Sequence, residues 1–306
     1  MHRISPGVSA LAFALGLTGA TLGSSLPAAA QDWDTVSVES VPVAGSVHMV
    51  TGRGGNLAVS TGPDGIFLVD DQFAPLTPKI QAALRKLHEK PTRFVLNTHW
   101  HGDHTGGNEN FGRSGSMIIA HREVRERMRV PQVQTLRGRT VPASPTEALP
   151  ILTFTDDLRF HLNAEEIHVF HVPSAHTDGD AIVHFLGSDV IHLGDVFFNG
   201  FYPYIDLDSG GSVAGMISAQ DRVLERATES TKLIPGHGPL GTRAELQSAR
   251  DMLAAVEQRV RTAIDAGDTL ETLQSKAPLA EFETKWGGGF MSSNQFLAIV
   301  YTDLSR

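Results

Sequence analysis

One stretch limits what this chain can fold into more than any other: Leu96-Asn97-Thr98-His99-Trp100-His101-Gly102-Asp103-His104-Thr105-Gly106-Gly107. His99, His101, Asp103 and His104 place four potential metal ligands directly after the apolar run Phe94-Val95-Leu96. A strand that stops here delivers them onto one tight loop. Neutral imidazole and carboxylate suit Zn²⁺, and three protein ligands with a fourth position open mark a catalytic site. His99 and His101 alternate as at a strand end, so both can point to one side, while Asp103 and His104 lie beyond the turn at Gly102. One loop can therefore serve two ions, each of which needs further ligands from elsewhere.

The pattern His-x-His-x-Asp-His resembles the signature of the metallo-β-lactamase superfamily. If the resemblance holds, the remaining ligands must come from later in the chain.

The first thirty residues stand apart. His2 and Arg3 precede an apolar stretch from Val8 to Ala20, and Ala28-Ala29-Ala30 offers a small-residue cleavage site before Gln31. Residues 1–30 are therefore expected to be a secretory signal peptide, followed by a single domain over residues 31–306. Gly16, Thr18, Gly19 and Thr21 interrupt the stretch before the roughly 20 residues a membrane span needs. No membrane insertion is expected once the signal is removed, and the expected location is periplasmic or secreted. Removal of residues 1–30 takes one Arg and no acid, leaving 24 basic and 34 acidic groups, net −10. Such an excess of acid disfavours nucleic acid and anionic membranes and leaves a small molecule as the expected partner. Nothing in the sequence indicates an oligomeric state. There is no cysteine, so neither disulfides nor thiolate ligands are available, and stability must come from a core.

Val47-His48-Met49-Val50, Leu57-Ala58-Val59 and Ile66-Phe67-Leu68-Val69 are separated by Gly52-Arg53-Gly54-Gly55 and Gly62-Pro63-Asp64-Gly65, a meander of antiparallel strands. Asp70 and Asp71 close the third strand. Ile80, Ala83, Leu84 and Leu87 have helical spacing over Thr77 to Lys90, with Thr77 and Pro78 fitting the cap and first position. A strand Arg93–Asn97, a short helical turn Asn108–Phe111, a strand Met117–Ala120 and a helix His121–Met128 follow. Pro131 to Pro150 reads as an irregular loop able to overhang a site. The second half is expected to begin with strands at 151–154, 158–162, 166–172, 181–186 and 190–193. A helix 213–227, a strand 232–234, a long helix 242–266 and C-terminal helices complete it. Strands followed by helices thus occur twice, and two such halves packed sheet to sheet make an α/β fold, a four-layer αββα sandwich.

Three further ligand types sit at strand-to-loop junctions: His176 in Val172-Pro173-Ser174-Ala175-His176-Thr177-Asp178-Gly179-Asp180, Asp195 after Ile191-His192-Leu193-Gly194, and His237 between Gly236 and Gly238. Loops of layered α/β folds are where sites are built. His48, His88, His121, His161, His168, His171, His184 and His192 belong to no such constellation.

The resemblance implies His99, His101 and His176 on one ion, Asp103, His104 and His237 on the other, and Asp195 bridging. It also implies that Asp70 braces the metal loop. The implied cofactor is Zn²⁺, two per chain, with Fe or Mn also suited to these donors. The implied chemistry is hydrolysis by a metal-bridging hydroxide, to which Asp103 accepts a hydrogen bond. The chain departs from exported β-lactamases of the three-His-plus-Cys variety, which carry Cys at the position of Asp195 and a Lys shortly after it. Here Val196 to Tyr204 contains no cation. The expected function is therefore hydrolysis of an ester, lactone or amide-type carbonyl with a neutral, apolar substrate. β-Lactam hydrolysis is the alternative, and a non-catalytic metal-binding accessory protein of a periplasmic oxidation system is a third reading.

Overall fold

Strands in the middle of a stack must be apolar on both faces, and Leu57–Gly62 and Gly65–Val69 are buried along nearly their whole length. They lie in a seven-stranded sheet of a computed structural model that describes residues 1–2 and 32–306. The expected signal segment, residues 1–30, lies outside the described residues apart from its first two.

The first sheet contains β1 (Glu39–Ala44), β2 (Val47–Thr51), β3 (Leu57–Gly62), β4 (Gly65–Val69), β5 (Thr92–Asn97) and β6 (Met117–His121). A hairpin of β7 (Gln132–Gln134) and β8 (Arg139–Val141) intervenes before its last strand, β9 (Leu152–Phe154). Pairing is antiparallel from β1 to β4 and parallel from β4 through β5 and β6 to β9. Helices α1 (Thr77–Leu87), α2 (Gly102–Thr105), α3 (Asn108–Arg113) and α4 (Arg122–Met128) make the crossovers that parallel strands require. The second sheet runs β10 (Asp157–Leu162), β11 (Glu165–His171), β12 (Ala181–Phe185), β13 (Val190–His192) and β14 (Lys232–Ile234), with only β13 and β14 parallel. Its helices are α5 (Val213–Leu224), α6 (Arg243–Asp265), α7 (Leu270–Ser275), α8 (Glu283–Trp286) and α9 (Ser293–Leu304).

Three apolar clusters stack these elements into four layers, αββα. Val59, Leu68 and Val95 meet Ile80, Leu84 and Phe111 on the outer face of the first sheet. Phe67, Val69, Leu96 and Ile119 meet Ile167, Val169 and Val183 between the sheets, where Phe67 packs edge-on to Phe160 with ring centroids 4.8 Å apart. Phe170, Ile182 and Leu233 meet Met216, Leu253, Val256 and Phe296 of the last layer. Each large side chain so buried contributes about 1.5–3 kcal/mol, which suffices to hold a chain without disulfides.

Three details depart from expectation. Strand β1 escaped the hydrophobic pattern because it is a half-exposed edge strand with Pro42 beside a bulge, the place where sheets tolerate proline. The segment 151–154 was placed in the second half, but β9 pairs with β6 in the first sheet. The 131–150 segment is not irregular throughout. The β7–β8 hairpin turns through a 3-10 turn, Thr135–Arg137, closed by Gly138 at φ 59°. Among the described residues, no helix is long and apolar enough to cross a membrane.

Candidate metal centre

Each candidate ligand follows the end of a strand: His99 after β5, His176 after β11, Asp195 after β13 and His237 after β14. The structure brings all seven together in two adjoining groups, His99, His101, His176 and Asp195, and Asp103, His104 and His237. In the first, His101 Nδ1 lies 3.2 Å from His99 Nε2 and 2.9 Å from His176 Nε2. Asp195 Oδ2 lies 3.8 Å from His99 Nε2 and 3.5 Å from His176 Nε2. In the second, Asp103 Oδ2 is 3.3 Å from His237 Nε2 and 3.8 Å from His104 Nε2. Asp195 turns its other oxygen, Oδ1, to this group, 3.1 Å from His104 Nε2 and 3.4 Å from His237 Nε2.

These separations test the fit of a metal. Zinc–nitrogen bonds of about 2.0–2.1 Å give a tetrahedral site edges of roughly 3.3–3.4 Å, within the range observed. Asp195 Oδ1 is buried and takes no hydrogen bond, an expensive state for a carboxylate oxygen unless a cation faces it. Three imidazole nitrogens converging at 2.9–3.2 Å likewise leave lone pairs opposed. The donor set fits two divalent cations.

The opposite nitrogen of four of the rings is engaged, which selects the tautomer and aims the free nitrogen at the cluster. His101 Nε2 donates to Asp206 Oδ2 at 2.8 Å, and His176 Nδ1 to the Tyr204 carbonyl at 2.7 Å. His104 Nδ1 donates to Asp70 Oδ2 at 2.8 Å, and His99 Nδ1 meets Thr98 Oγ1 at 3.1 Å. Asp70 also accepts from Thr98 N and Oγ1, both at 2.8 Å, so it locks the start of the loop as well as one ring. Asp70 holds φ at 61°, a conformation that costs of order 1 kcal/mol or more and aims its carboxylate into the loop. Glycine allows the closest approaches. A Cβ on Gly236 would stand 2.1 Å from Asp195 Oδ1, and one on Gly55 would stand 2.1 Å from the His104 ring. The first was legible as a glycine beside His237; Gly55 read only as a turn residue.

Without a cation the two groups polarise oppositely. Burial and then the neighbouring His104 hold His99 well below its usual range, and burial holds His101 at about 4 despite Asp206. Burial is the largest influence on His104 and His237 and opposes their charge, but the carboxylates together outweigh it: Asp195 first, then Asp70 and Asp103 at His104, and Asp195 with Asp103 at His237. His104 is raised well above 6.5 and His237 reaches about 9. A metal entering the second group must displace those protons.

The Asp195–Tyr204 loop divides its aromatics. Phe197 and Tyr202 are core residues, Tyr202 stacked on Phe296. Phe198 stacks on His237 with centroids 5.3 Å apart and is 2% exposed, so it backs a ligand instead of forming an open wall. Tyr204 flanks His176 and His101, at 5.8 and 6.0 Å between centroids. Asp206 is buried, bound to His101, Ser209 and Gln134. Asp208 accepts from Thr135 N and Oγ1. A cation is also present that the 196–204 loop lacks, because the β7–β8 hairpin lays Arg137 over the Tyr204 ring at 4.1 Å. Gln134, 0% exposed, adds its amide 3.2 Å from His101 Nε2. Gln134 and Arg137 carried no motif that spacing could reveal. The other strand histidines stand outside both groups; His192, for example, donates to the Asn56 carbonyl.

The sequence pattern of the metallo-beta-lactamase superfamily matches residues 41–255. The chain is 23% identical over 176 residues to the 2,4-dinitroanisole O-demethylase subunit alpha of Nocardioides sp., covering 57% of this chain and 50% of that protein. It is 26% identical over 149 residues to the hydroxyacylglutathione hydrolase of Pelagibacter ubique, covering 47% of this chain and 51% of that one. The chain thus spans about half the length of these curated relatives. Among solved structures, a metallo-beta-lactamase from Pontibacter korlensis superimposes with TM-score 0.59 at 18% identity, over 71% of this chain and 99% of that one. A double mutant of a sec-alkyl sulfatase gives TM-score 0.64 at 19% identity, over 88% and 50%. At such identities the likeness is one of fold.

Proposed function

Because this chain belongs to the metallo-beta-lactamase superfamily, we propose that it is a dinuclear zinc-dependent hydrolase of ester, lactone or amide-type carbonyls. The observation that carries this reading is the Asp195 carboxylate, with one oxygen facing each group of imidazoles. A single structural ion needs four ligands in a closed site; seven donors around a shared carboxylate suit two ions and an open face. His99, His101 and His176 would hold one ion and Asp103, His104 and His237 the other, with the Asp195 carboxylate facing both groups. Two such ions supply Lewis acidity and a water whose pKa falls toward neutrality.

The chain's own groups divide the remaining work. Asp103 is 29% exposed against 6% for Asp195, so it is the acid of the seven with access to an arriving water. Hydrolysis adds hydroxyl to the carbonyl carbon and a proton to the departing oxygen or nitrogen. Asp103 is placed to carry that proton, while Asp195 stays ionised between its histidines. Phe198 and Tyr204 limit water beside the ligands and keep the local dielectric low.

Export belongs to the same proposal, on the composition of residues 1–30 with a single domain following. A periplasmic or secreted product beginning at Gln31 by mass spectrometry supports it, and an unprocessed cytosolic chain counts against it. The test of the chemistry is elemental analysis of the purified protein followed by chromogenic ester, lactone and β-lactam substrates. About two ions per chain with ester or lactone turnover is expected. One ion or none removes the dinuclear assignment, and β-lactams turned over in preference to esters and lactones replace the function named here by its alternative, β-lactam opening.

A further inference from the structure

A cavity of about 310 Å³ lies between the β7–β8 hairpin and α9, lined by Leu136, Arg137, Tyr204, Phe290, Met291 and Ile299 among others. Its size is at the lower end of small-molecule sites, ~300–1,000 Å³. It shares walls with the metal centre. Tyr204 flanks His176 and His101, and the Phe290 ring lies 6.1 Å from that of His237 and 6.0 Å from that of Phe198. Phe290 is 57% exposed and Leu136 46%, so large apolar surface is left uncovered at its rim.

One charge stands in this apolar setting. Among the described residues Arg137 pairs with no carboxylate, although the chain carries 34 acids against 25 bases. The nearby acids are otherwise engaged, Asp206 by His101 and Ser209, Asp208 by Thr135. Stacking on Tyr204 at 4.1 Å orients the planar guanidinium, whose fork matches a carboxylate in two parallel hydrogen bonds.

We propose that this cavity is the subsite for the part of the substrate remote from the scissile bond, and that it takes an apolar aryl or alkyl group ending in a carboxylate, which Arg137 holds. This replaces the neutral substrate expected from the 196–204 loop alone. The position of the scissile bond rests on the hydrolase reading; the subsite does not.

The test is calorimetric titration of the purified full-length chain, metals as isolated, with 4-phenylbutanoate and its neutral isostere 4-phenylbutanamide. Charge-assisted bidentate bonding predicts tighter binding of the carboxylate by about tenfold to a hundredfold. Arg137→Gln should remove that preference and Arg137→Lys should keep part of it. Equal binding of the two probes by the unmodified protein overturns the proposal. A preference that survives Arg137→Gln also overturns it, since the carboxylate is then held by the metals. Turnover of the ester, lactone and β-lactam panel in the same preparation separates the two readings. Turnover without the preference refutes the subsite alone, and the preference with no turnover of any of them refutes the hydrolase alone.

Discussion

Asp206→Asn exchanges one oxygen for an amide nitrogen at nearly constant volume, and the surroundings leave that nitrogen no good place. Oδ2 of Asp206 accepts from His101 Nε2 at 2.8 Å, Ser209 Oγ at 2.8 Å and Gln134 Nε2 at 3.3 Å, while Oδ1 lies 3.2 Å from Ser209 N. An amide nitrogen at the Oδ2 position meets donors, and a flipped amide sets it against the Ser209 N–H. The Ser209 hydroxyl can rotate and accept, but the His101 ring cannot do so without giving up the tautomer that presents Nδ1 to the cluster. Loss of the group that orients a metal-binding histidine weakens metal affinity by about 10–100-fold, or roughly 1.4–2.7 kcal/mol. The disturbed buried hydrogen bonds should cost about 2 kcal/mol of fold stability, a fall in Tm of roughly 4–8 °C. The assay is competition between dialysed protein and a chromophoric zinc chelator, with a thermal melt in parallel. The ion of the His99–His101–His176 group should weaken by 10–100-fold. The ion of the other group should hold its affinity, because Asp206 contacts none of its three ligands. Unchanged affinity for both ions in a folded variant refutes the orientation argument, and equal weakening of both refutes the assignment of His101 to one group.

Three further outcomes follow from the same geometry. Asp195→Ala removes the carboxylate that faces both ligand groups, so on the proposed dinuclear reading elemental analysis should find no more than one ion per chain while far-ultraviolet dichroism stays native; retention of two ions would show that Asp195 does not bridge. Gly55→Ala drives a Cβ to 2.1 Å from the His104 ring, whereas a Cβ on Gly102 meets nothing within 4 Å, so metal content and activity should fall sharply in the first variant and persist in Gly102→Ala. Equal behaviour of the two alanine variants would contradict the packing described for Gly55. His121 stacks face to face on His171 with ring centroids 3.9 Å apart and is held down at about 4, by burial first and then by His171. The unfolded chain binds that proton first, near pH 6.5, so stability present above pH 6.5 is lost as pH falls toward 4. His171→Phe should lose roughly 1–2 kcal/mol less than the parent over this interval, with the shift discounted for partial exposure, as read from urea midpoints; parallel curves would exclude the pair as the source.

Ligand chemistry confined to one loop needs no tertiary information. His99, His101, Asp103 and His104 were legible because a strand end and a turn determine where four neighbouring side chains can go. The two-sheet architecture was legible for a similar reason. Runs such as Phe67-Leu68-Val69 and Ala181-Ile182-Val183 are apolar at every position, and only burial on both faces allows that. His176, Asp195 and His237 could be selected as strand-end residues matching a family pattern. That Asp195 turns one oxygen to each cluster is decided by how β13 and β14 stack against β5.

Other features left no trace along the chain. Asp206 lies 105 residues from the ring it orients, and nothing in Tyr204-Ile205-Asp206-Leu207-Asp208 separates the buried acid from the exposed one. Gly55 is indistinguishable from its turn neighbours until His104 packs on it. Arg137 sits in a hairpin that spacing could not connect to the metal loop, although it supplies the cation that the Val196–Tyr204 stretch lacks. Periodicity records which face of an element is apolar, because that is a property of consecutive residues. Which polar group meets which across the layers depends on how the layers pack, and only the tertiary structure decides it.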